Sequence, residues 1–266
     1  MTPLTAWVEG IGLLGPGLSD WSAGCAVLRG ESPFAPQATV LPTPDSLPPA
    51  ERRRTGRIVK LALAVGLEAT SRAGVNPAEL PTVFSSSGGD GQNCHEICQV
   101  LASADRQLSP TRFHNSVHNV AAGYWSIANG ARAPSNVVCG YDASFAMGLL
   151  EALTQVTVDR TACLLIAYDS QYPQPLFAKR PIPDAFGIAL LLSPEQRTAA
   201  TARLTAAFTD GPADRMADPQ LESLRASIPA ARSLPLLECI ARREQRRTVI
   251  EYLDPTQLEI EVVSCS

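Results

Sequence analysis

Ala143-Ser-Phe-Ala-Met-Gly-Leu-Leu-Glu-Ala-Leu-Thr-Gln-Val156 is followed shortly by Ala162-Cys-Leu-Leu-Ile-Ala-Tyr168, and this pair decides the fold. The first segment carries Phe145, Leu149, Leu150 and Leu153 at helical spacing. The second is a short unbroken apolar run, the pattern of a strand covered on both faces. Phe186–Leu192 repeats it. Upstream, Thr82-Val-Phe-Ser-Ser reads as a strand that runs into Ser85-Ser-Ser-Gly-Gly-Asp90, then a helix over 92–104. Ser135-Asn-Val-Val-Cys139 is a short strand after a helix over 114–130. Arg52 to Gly74 reads as one long helix with Ile58, Leu61, Ala62, Val65, Leu67 and Ala69 on its apolar side. Residues 5–12 form a buried strand, and Ser19 caps a short helix over 19–29. Buried strands alternating with helices imply α/β layers. A linker near 194–200 divides a first region, 1–193, from a tail, 194–266. The tail reads as a strand over 202–208, helices over 217–228 and 233–243, and a hairpin around Asp254-Pro255. It is expected to pack on the first region.

Of the 266 residues, 45% are hydrophobic and 18% charged, so the chain can bury a core and is not broadly disordered. The net charge of −4 argues against a general nucleic-acid binder. The opening residues show no basic stretch followed by an apolar one, and no run is long enough to span a bilayer, so a cytoplasmic protein is expected. The seven cysteines lie largely in apolar runs, as small buried hydrophobes do, not as a disulfide framework.

Histidine is restricted to His95, His114 and His118, and lysine to Lys60 and Lys179. Three constellations bear on chemistry. Cys94, His95 and Cys98 precede His114 and His118 at i, i+4, which could place metal ligands on helix faces. No Cys-x-x-Cys or H-E-x-x-H accompanies them, so neither a metal nor a cofactor is expected. Cys139 ends a strand before Gly140, where a turn could present a thiol to a helix N-terminus; otherwise it is a plain strand residue. No G-x-S-x-G elbow is present. Arg52-Arg53-Arg54 with Arg57, and Arg242-Arg243 with Arg246-Arg247, are basic clusters in an acidic chain. They are solvated faces or a docking surface for an acidic partner.

Trp7-Val-Glu-Gly-Ile-Gly-Leu-Leu-Gly-Pro, Phe84-Ser-Ser-Ser-Gly-Gly and, above all, the run from Phe113-His-Asn-Ser-Val-His to Arg132-Ala-Pro-Ser135 resemble the β-ketoacyl synthase family. The similarity covers residues 5–193 well and the tail poorly. The chain also resembles the short chain-length-factor-like proteins of aryl polyene gene clusters. The resemblance implies a thiolase-like α/β fold with a complete first half and a truncated second half. In active synthases the catalytic cysteine follows the Pro-Ser of this segment by seven residues. Counting without gaps from Ser135 lands on Asp142, a poor acceptor of acyl groups; Cys139 would fit only with a gap. The two histidines and the lysine that the family uses for decarboxylation come from its second half, where this chain has no histidine after His118 and no lysine after Lys179.

The resemblance therefore implies a catalytically silent subunit. Its partners would be an active β-ketoacyl synthase, in a heterodimer, and an acyl carrier protein. The strand Ser135, Val137, Val138 and Cys139 would form the interface, with Val138 as a pairing donor that Val138→Pro would remove. Asp90, Asn93 and Ile97 would face the acyl channel and set chain length. The rival readings are a diverged synthase or acyltransferase that uses Cys139, and a metal-dependent binding module built on Cys94, Cys98 and His114.

Overall fold

A computed structural model describes residues 3–265. In chain order the elements are β1 (Leu4–Leu14), α1 (Trp21–Leu28), α2 (Pro49–Arg52), α3 (Arg57–Ala73), β2 (Thr82–Ser85), α4 (Gly91–Ala102), α5 (Pro110–His114) and α6 (Val120–Asn129). There follow β3 (Ser135–Val138), α7 (Ser144–Asp159), β4 (Cys163–Asp169), α8 (Leu176–Lys179) and β5 (Phe186–Ser193). The tail holds β6 (Ala202–Thr209), α9 (Pro219–Ser227), α10 (Leu234–Arg242), β7 (Arg246–Leu253) and β8 (Thr256–Ser264).

Among the described residues the eight strands form one sheet, ordered β3-β2-β4-β5-β1-β6-β8-β7. β2 runs parallel to β3 and β4, and the other neighbours are antiparallel. Each face of the sheet has its own core. On one, Phe145, Leu149 and Leu153 of α7 and Leu236 and Leu237 of α10 pack against Val8, Leu165, Leu190 and Ile260. On the other, Leu61 and Val65 of α3 and Trp125 of α6 pack against Phe84, Ile166 and Leu191. The unbroken apolar runs of β4 and β5 follow from this: every residue of both is buried. The arrangement is the thiolase-like layered fold.

Gly10 and Gly12 of β1 let α3 lie directly on the strand, because a Cβ at either would meet the backbone carbonyl of Ala69 or Val65. That close approach explains the Gly-Ile-Gly signature. The tail does not stand apart. β6 hydrogen-bonds β1 from Leu4↔Ala206 to Val8↔Ala202, and β8 and β7 extend the sheet from there.

Three local expectations are corrected. Asp20, not Ser19, caps α1: its carboxylate accepts the Ala23 N–H at 2.9 Å, which holds its pKa below the usual carboxylate value. The helix expected from Arg52 to Gly74 starts at Arg57. Thr55 turns its hydroxyl onto the Arg52 carbonyl at 2.9 Å and Gly56 follows, so the preceding turn closes separately. The stop at Gly74 is as expected, with φ +66°. The helix expected over 114–130 begins only at Val120, after a separate short α5 that ends at His114, because Asn115 between them is used for tertiary contacts. Its amide donates to the Arg54 carbonyl at 2.8 Å and its side-chain oxygen accepts from Tyr124 at 3.3 Å.

Candidate functional site

The carboxyl ends of the parallel strands β2, β3 and β4 come out on one rim of the sheet, the usual position for sites in open α/β folds. Each end carries a polar turn. Ser86 to Asp90 leave β2, Cys139 to Ala143 leave β3, and Asp169 to Gln171 leave β4.

The turn after β3 is the most constrained. Tyr141 adopts φ +55°, a left-handed backbone that a bulky residue rarely takes. The Ser144 hydroxyl locks it, donating to the Tyr141 carbonyl at 2.7 Å and accepting the Gly140 N–H at 3.0 Å. Asp142 therefore sits at the entry to α7, and both of its oxygens are engaged. Oδ1 accepts from Arg180 at 2.8 Å, and Oδ2 pairs with Arg232 at 3.2 Å. The Arg180 guanidinium also lies 3.6 Å from the centre of the Tyr141 ring. The pairing continues inward: Arg232 reaches Glu251 at 2.7 Å, and Arg225 bridges Glu251 at 3.2 Å and Glu222 at 2.8 Å. Arg180 and Arg232 are 13% and 16% exposed against 41% for Asp142, so the carboxylate caps a mostly buried cationic pair.

Asp169 ties the rim to the tail. Its Oδ1 accepts the Ser87 N–H at 2.9 Å and the Ser87 hydroxyl at 2.6 Å, and its Oδ2 accepts the Ala230 N–H at 2.8 Å. Burial pushes its pKa up to about 6, although those hydrogen bonds pull the other way. Cys139 is exposed, and its thiol donates to the Ser87 carbonyl at 3.4 Å.

The residues Ser135, Val137, Val138 and Cys139 lie on and just past β3, which is the edge strand of the sheet. The inner ladder has the Pro134 carbonyl accepting from Thr82 and the Val138 carbonyl from Ser86. Alternation then turns the Val138 N–H inward and leaves those of Ser135 and Val137 on the free edge. The expectation that Val138 donates to a neighbouring strand is therefore corrected to Val137.

Asp90 and Asn93 come together at the start of α4. Asp90 caps the helix through the Asn93 N–H at 3.0 Å, and the Asn93 amide donates to the Arg112 carbonyl at 2.9 Å. Burial pushes the Asp90 pKa up. Both residues line a cavity of about 680 Å³ together with Arg53, Arg54, Arg57, Lys60 and Arg112. Ile97, one turn on, is half-buried and lies outside that lining. Among the described residues Arg53 and Lys60 form no ion pair, so this basic cluster keeps free cations. The second cluster is exposed and largely paired, although among the described residues Arg243 forms no ion pair. Arg242 donates to the Leu28 carbonyl at 2.9 Å and pairs with Glu238 at 2.7 Å, while Arg247 faces Glu259 and Glu261.

The metal-type residues do not converge. His114 stacks edge-on with Tyr124, and His118 reaches the Ser86 carbonyl at 3.2 Å. Among the described residues no three His, Cys, Asp or Glu side chains form a group that could hold a metal. Among the described residues no helix is long and apolar enough to cross a membrane.

Arg180, Arg232, Glu251 and Asp169 are absent from the sequence-based candidates. Asp169 did leave a signal, as a carboxylate that closes the buried run Cys163–Tyr168. The arginines left none, since their convergence depends on how the tail folds back.

Residues 27–250 match the family described as β-ketoacyl synthase, N-terminal domain. One chain of the ketosynthase ApeO in complex with its chain length factor ApeC, from Xenorhabdus doucetiae, is 26% identical with a TM-score of 0.73. That match covers 97% of this chain and 99% of the other. A chain of the ishigamide ketosynthase/chain length factor aligns with a TM-score of 0.72 at 15% identity, over 98% and 100% of the two chains. A chain of AntDE:AntF, a type II polyketide acyl-carrier protein in complex with its ketosynthase, aligns with a TM-score of 0.73 at 10% identity, over 98% and 99%. The last two establish likeness of fold alone. No curated protein sequence matches the chain.

Proposed function

The chain belongs to the β-ketoacyl synthase N-terminal domain family, and from that premise we propose that it is a catalytically silent, chain-length-factor-like subunit. It pairs with an active β-ketoacyl synthase and takes part in acyl-carrier-protein-dependent synthesis of aryl polyene or related fatty-acid-like chains. The observation that carries this reading is Asp142. Where the family resemblance puts a nucleophilic cysteine, the chain has a carboxylate with both oxygens committed to Arg180 and Arg232. A carboxylate whose two oxygens each face a guanidinium is a poor nucleophile toward a thioester. The 26% identity with a chain of a ketosynthase–chain length factor complex supports the same reading. Soluble, cytoplasmic action accords with it.

In this reading β3 pairs across the dimer axis. Strand addition would satisfy the free edge of Ser135 and Val137, with Tyr141, which is 61% exposed, beside it. The carrier protein is acidic, and the cavity rimmed by Arg53, Arg57 and Lys60 offers it complementary charge.

Co-expression with an active β-ketoacyl synthase as candidate partner, followed by size-exclusion chromatography, tests the proposal. A stable complex is expected, and the isolated chain should not condense malonyl and acyl thioesters. Val137→Pro removes an outward donor on an edge strand where proline is tolerated. It should weaken the complex at least tenfold and leave the chain folded. Steady condensation by the isolated chain, or a complex indifferent to Val137→Pro, would overturn the reading of function or of interface respectively.

Chain-length control is assigned to Asp90, Asn93 and Ile97. Asp90 and Asn93 are already tied to the α4 cap and to Arg112, which leaves Ile97 as the adjustable side chain. A methylene adds only about 0.8 kcal/mol of binding, so a steric stop discriminates length better than an apolar tube. Ile97→Ala should lengthen the products made with the active partner and Ile97→Trp shorten them. Unchanged product distributions from two normally assembled variants would remove α4 from the channel.

A further inference from the structure

The metal reading of the 94–118 segment leaves a pair of cysteines with no role. Cys94 and Cys98 are both free and exposed, one turn apart on α4. Residues four apart share a helix face, so the two thiols are neighbours on α4; burial first, and then the neighbouring Cys98 thiol, push the Cys94 thiol up. His114 and His118 are committed elsewhere, so the pair stands as a dithiol without a third ligand.

We propose that Cys94 and Cys98 form a redox-responsive dithiol that closes to an intrahelical disulfide by exchange with a low-molecular-weight disulfide. In the first step one cysteine loses its proton, and its thiolate attacks a sulfur of the small disulfide. A mixed disulfide forms, and one small thiolate leaves. In the second step the other cysteine loses its proton and attacks the protein sulfur of that mixed disulfide, which expels the second small thiolate. The two released protons return to the two small thiolates. The protein is oxidised by two electrons and the small disulfide is reduced to two thiols.

Helix geometry makes this bond a switch instead of a fixed staple. Residues four apart on a helix hold their Cβ atoms about 5–6 Å apart. A disulfide needs about 3.8 Å. Closure must therefore draw in a turn of α4, and strained, exposed disulfides are the readily reduced kind. The turn affected, 94–98, follows directly on the turn closed by the Cys94 N–H and the Asp90 carbonyl at 3.0 Å. It adjoins the Asn93 link to Arg112. Oxidation would thus reshape the segment to which chain-length control is assigned, a consequence that rests on the function proposed above. The dithiol chemistry itself does not.

The tryptic peptide from Ala73 to Arg106 contains Cys94 and Cys98 and no other cysteine. Folded protein is incubated with oxidised glutathione, alkylated and digested. The expected result is a peptide lighter by two hydrogens and blocked to alkylation, which returns to the dithiol with dithiothreitol. Cys94→Ser and Cys98→Ser should each keep a glutathione adduct on the remaining cysteine. Amide exchange over residues 91–102 should rise severalfold on oxidation. A peptide that stays reduced, or one that carries two glutathiones with no internal disulfide, overturns the proposal. An internal disulfide with unchanged amide exchange overturns the switch. If the disulfide forms but the products made with the active partner do not change, the channel assignment fails and the dithiol stands.

Discussion

Asp169→Ala is expected to lower the unfolding free energy by about 3–5 kcal/mol, since each buried donor left without an acceptor costs about 1–3 kcal/mol. Three donors are at stake: the Ser87 N–H, the Ser87 hydroxyl and the Ala230 N–H. The hydroxyl can turn to another acceptor, but the two amides are fixed by the backbone. Asp169 is 3% exposed, so water does not replace it without opening the rim. The lost contact joins the turn after β2 to residues just before α10, so the tail should loosen first. Urea unfolding measures the loss, and amide exchange of residues 229–242 locates it. A change below about 1 kcal/mol would mean that the tail is held by sheet pairing alone.

The same carboxylate sets a pH dependence whose sign follows from burial. Its folded pKa is pushed up to about 6, against about 3.9 for an unfolded aspartate. A raised pKa gives stability that is full below the unfolded value and lost as pH climbs through the folded one. The Ser87 hydroxyl, at 2.6 Å, can accept the proton that Asp169 takes up. Asp169→Asn does not titrate. The stability of the wild type relative to Asp169→Asn should therefore fall by about 3 kcal/mol as pH rises from below 4 to above 6, two pKa units at 1.36 kcal/mol each. Taking the difference between the two proteins cancels carboxylates that respond oppositely, such as Glu222, whose pKa is lowered first by its bond to Arg225.

How far the sequence could be read tracks the range of the forces involved. β4 and β5 were legible because a strand buried on both faces has to be apolar at every position. The glycines of β1 were legible because α3 lies on them. The helix break around Asn115 is not legible, since Asn115 acts through Arg54, far along the chain; the break at Arg53–Gly56 rests on a local competition, the Thr55 hydroxyl against the helix ladder, that apolar periodicity does not register. The site divides the same way. Asp142 is legible by counting from Ser135 along the segment that resembles the synthase family. Its cage is not, because Arg180 comes from the loop after α8 and Arg232 from the tail, and no periodicity links them. The direction of the edge amides on β3 was also beyond sequence, since register decides it: one residue's shift exchanges Val137 for Val138.

Asp142→Ala is expected to cost about 2–3 kcal/mol. Removing one partner of a fully buried ion pair costs about 3–5 kcal/mol, and Asp142 is 41% exposed, which puts the expectation below that range. The burden falls on Arg180. Arg232 keeps Glu251 at 2.7 Å, whereas Arg180 is left with the face of Tyr141. Arg180→Leu should accordingly recover much of the loss in the Asp142→Ala background, because it removes the orphaned charge. A double-mutant cycle across the two positions should give a coupling of at least about 1 kcal/mol. Asp142→Asn should sit between, keeping an acceptor for one arginine but no charge. A catalytic Asp142 would behave otherwise: a carboxylate poised to attack or to take a proton contributes little to stability, and replacing it would leave unfolding within about 0.5 kcal/mol of wild type. Activity of the assembled complex supplies the second axis. If Asp142 is a structural plug, variants that still assemble keep the wild-type condensation rate per complex; if it does chemistry, that rate collapses while the fold is untouched.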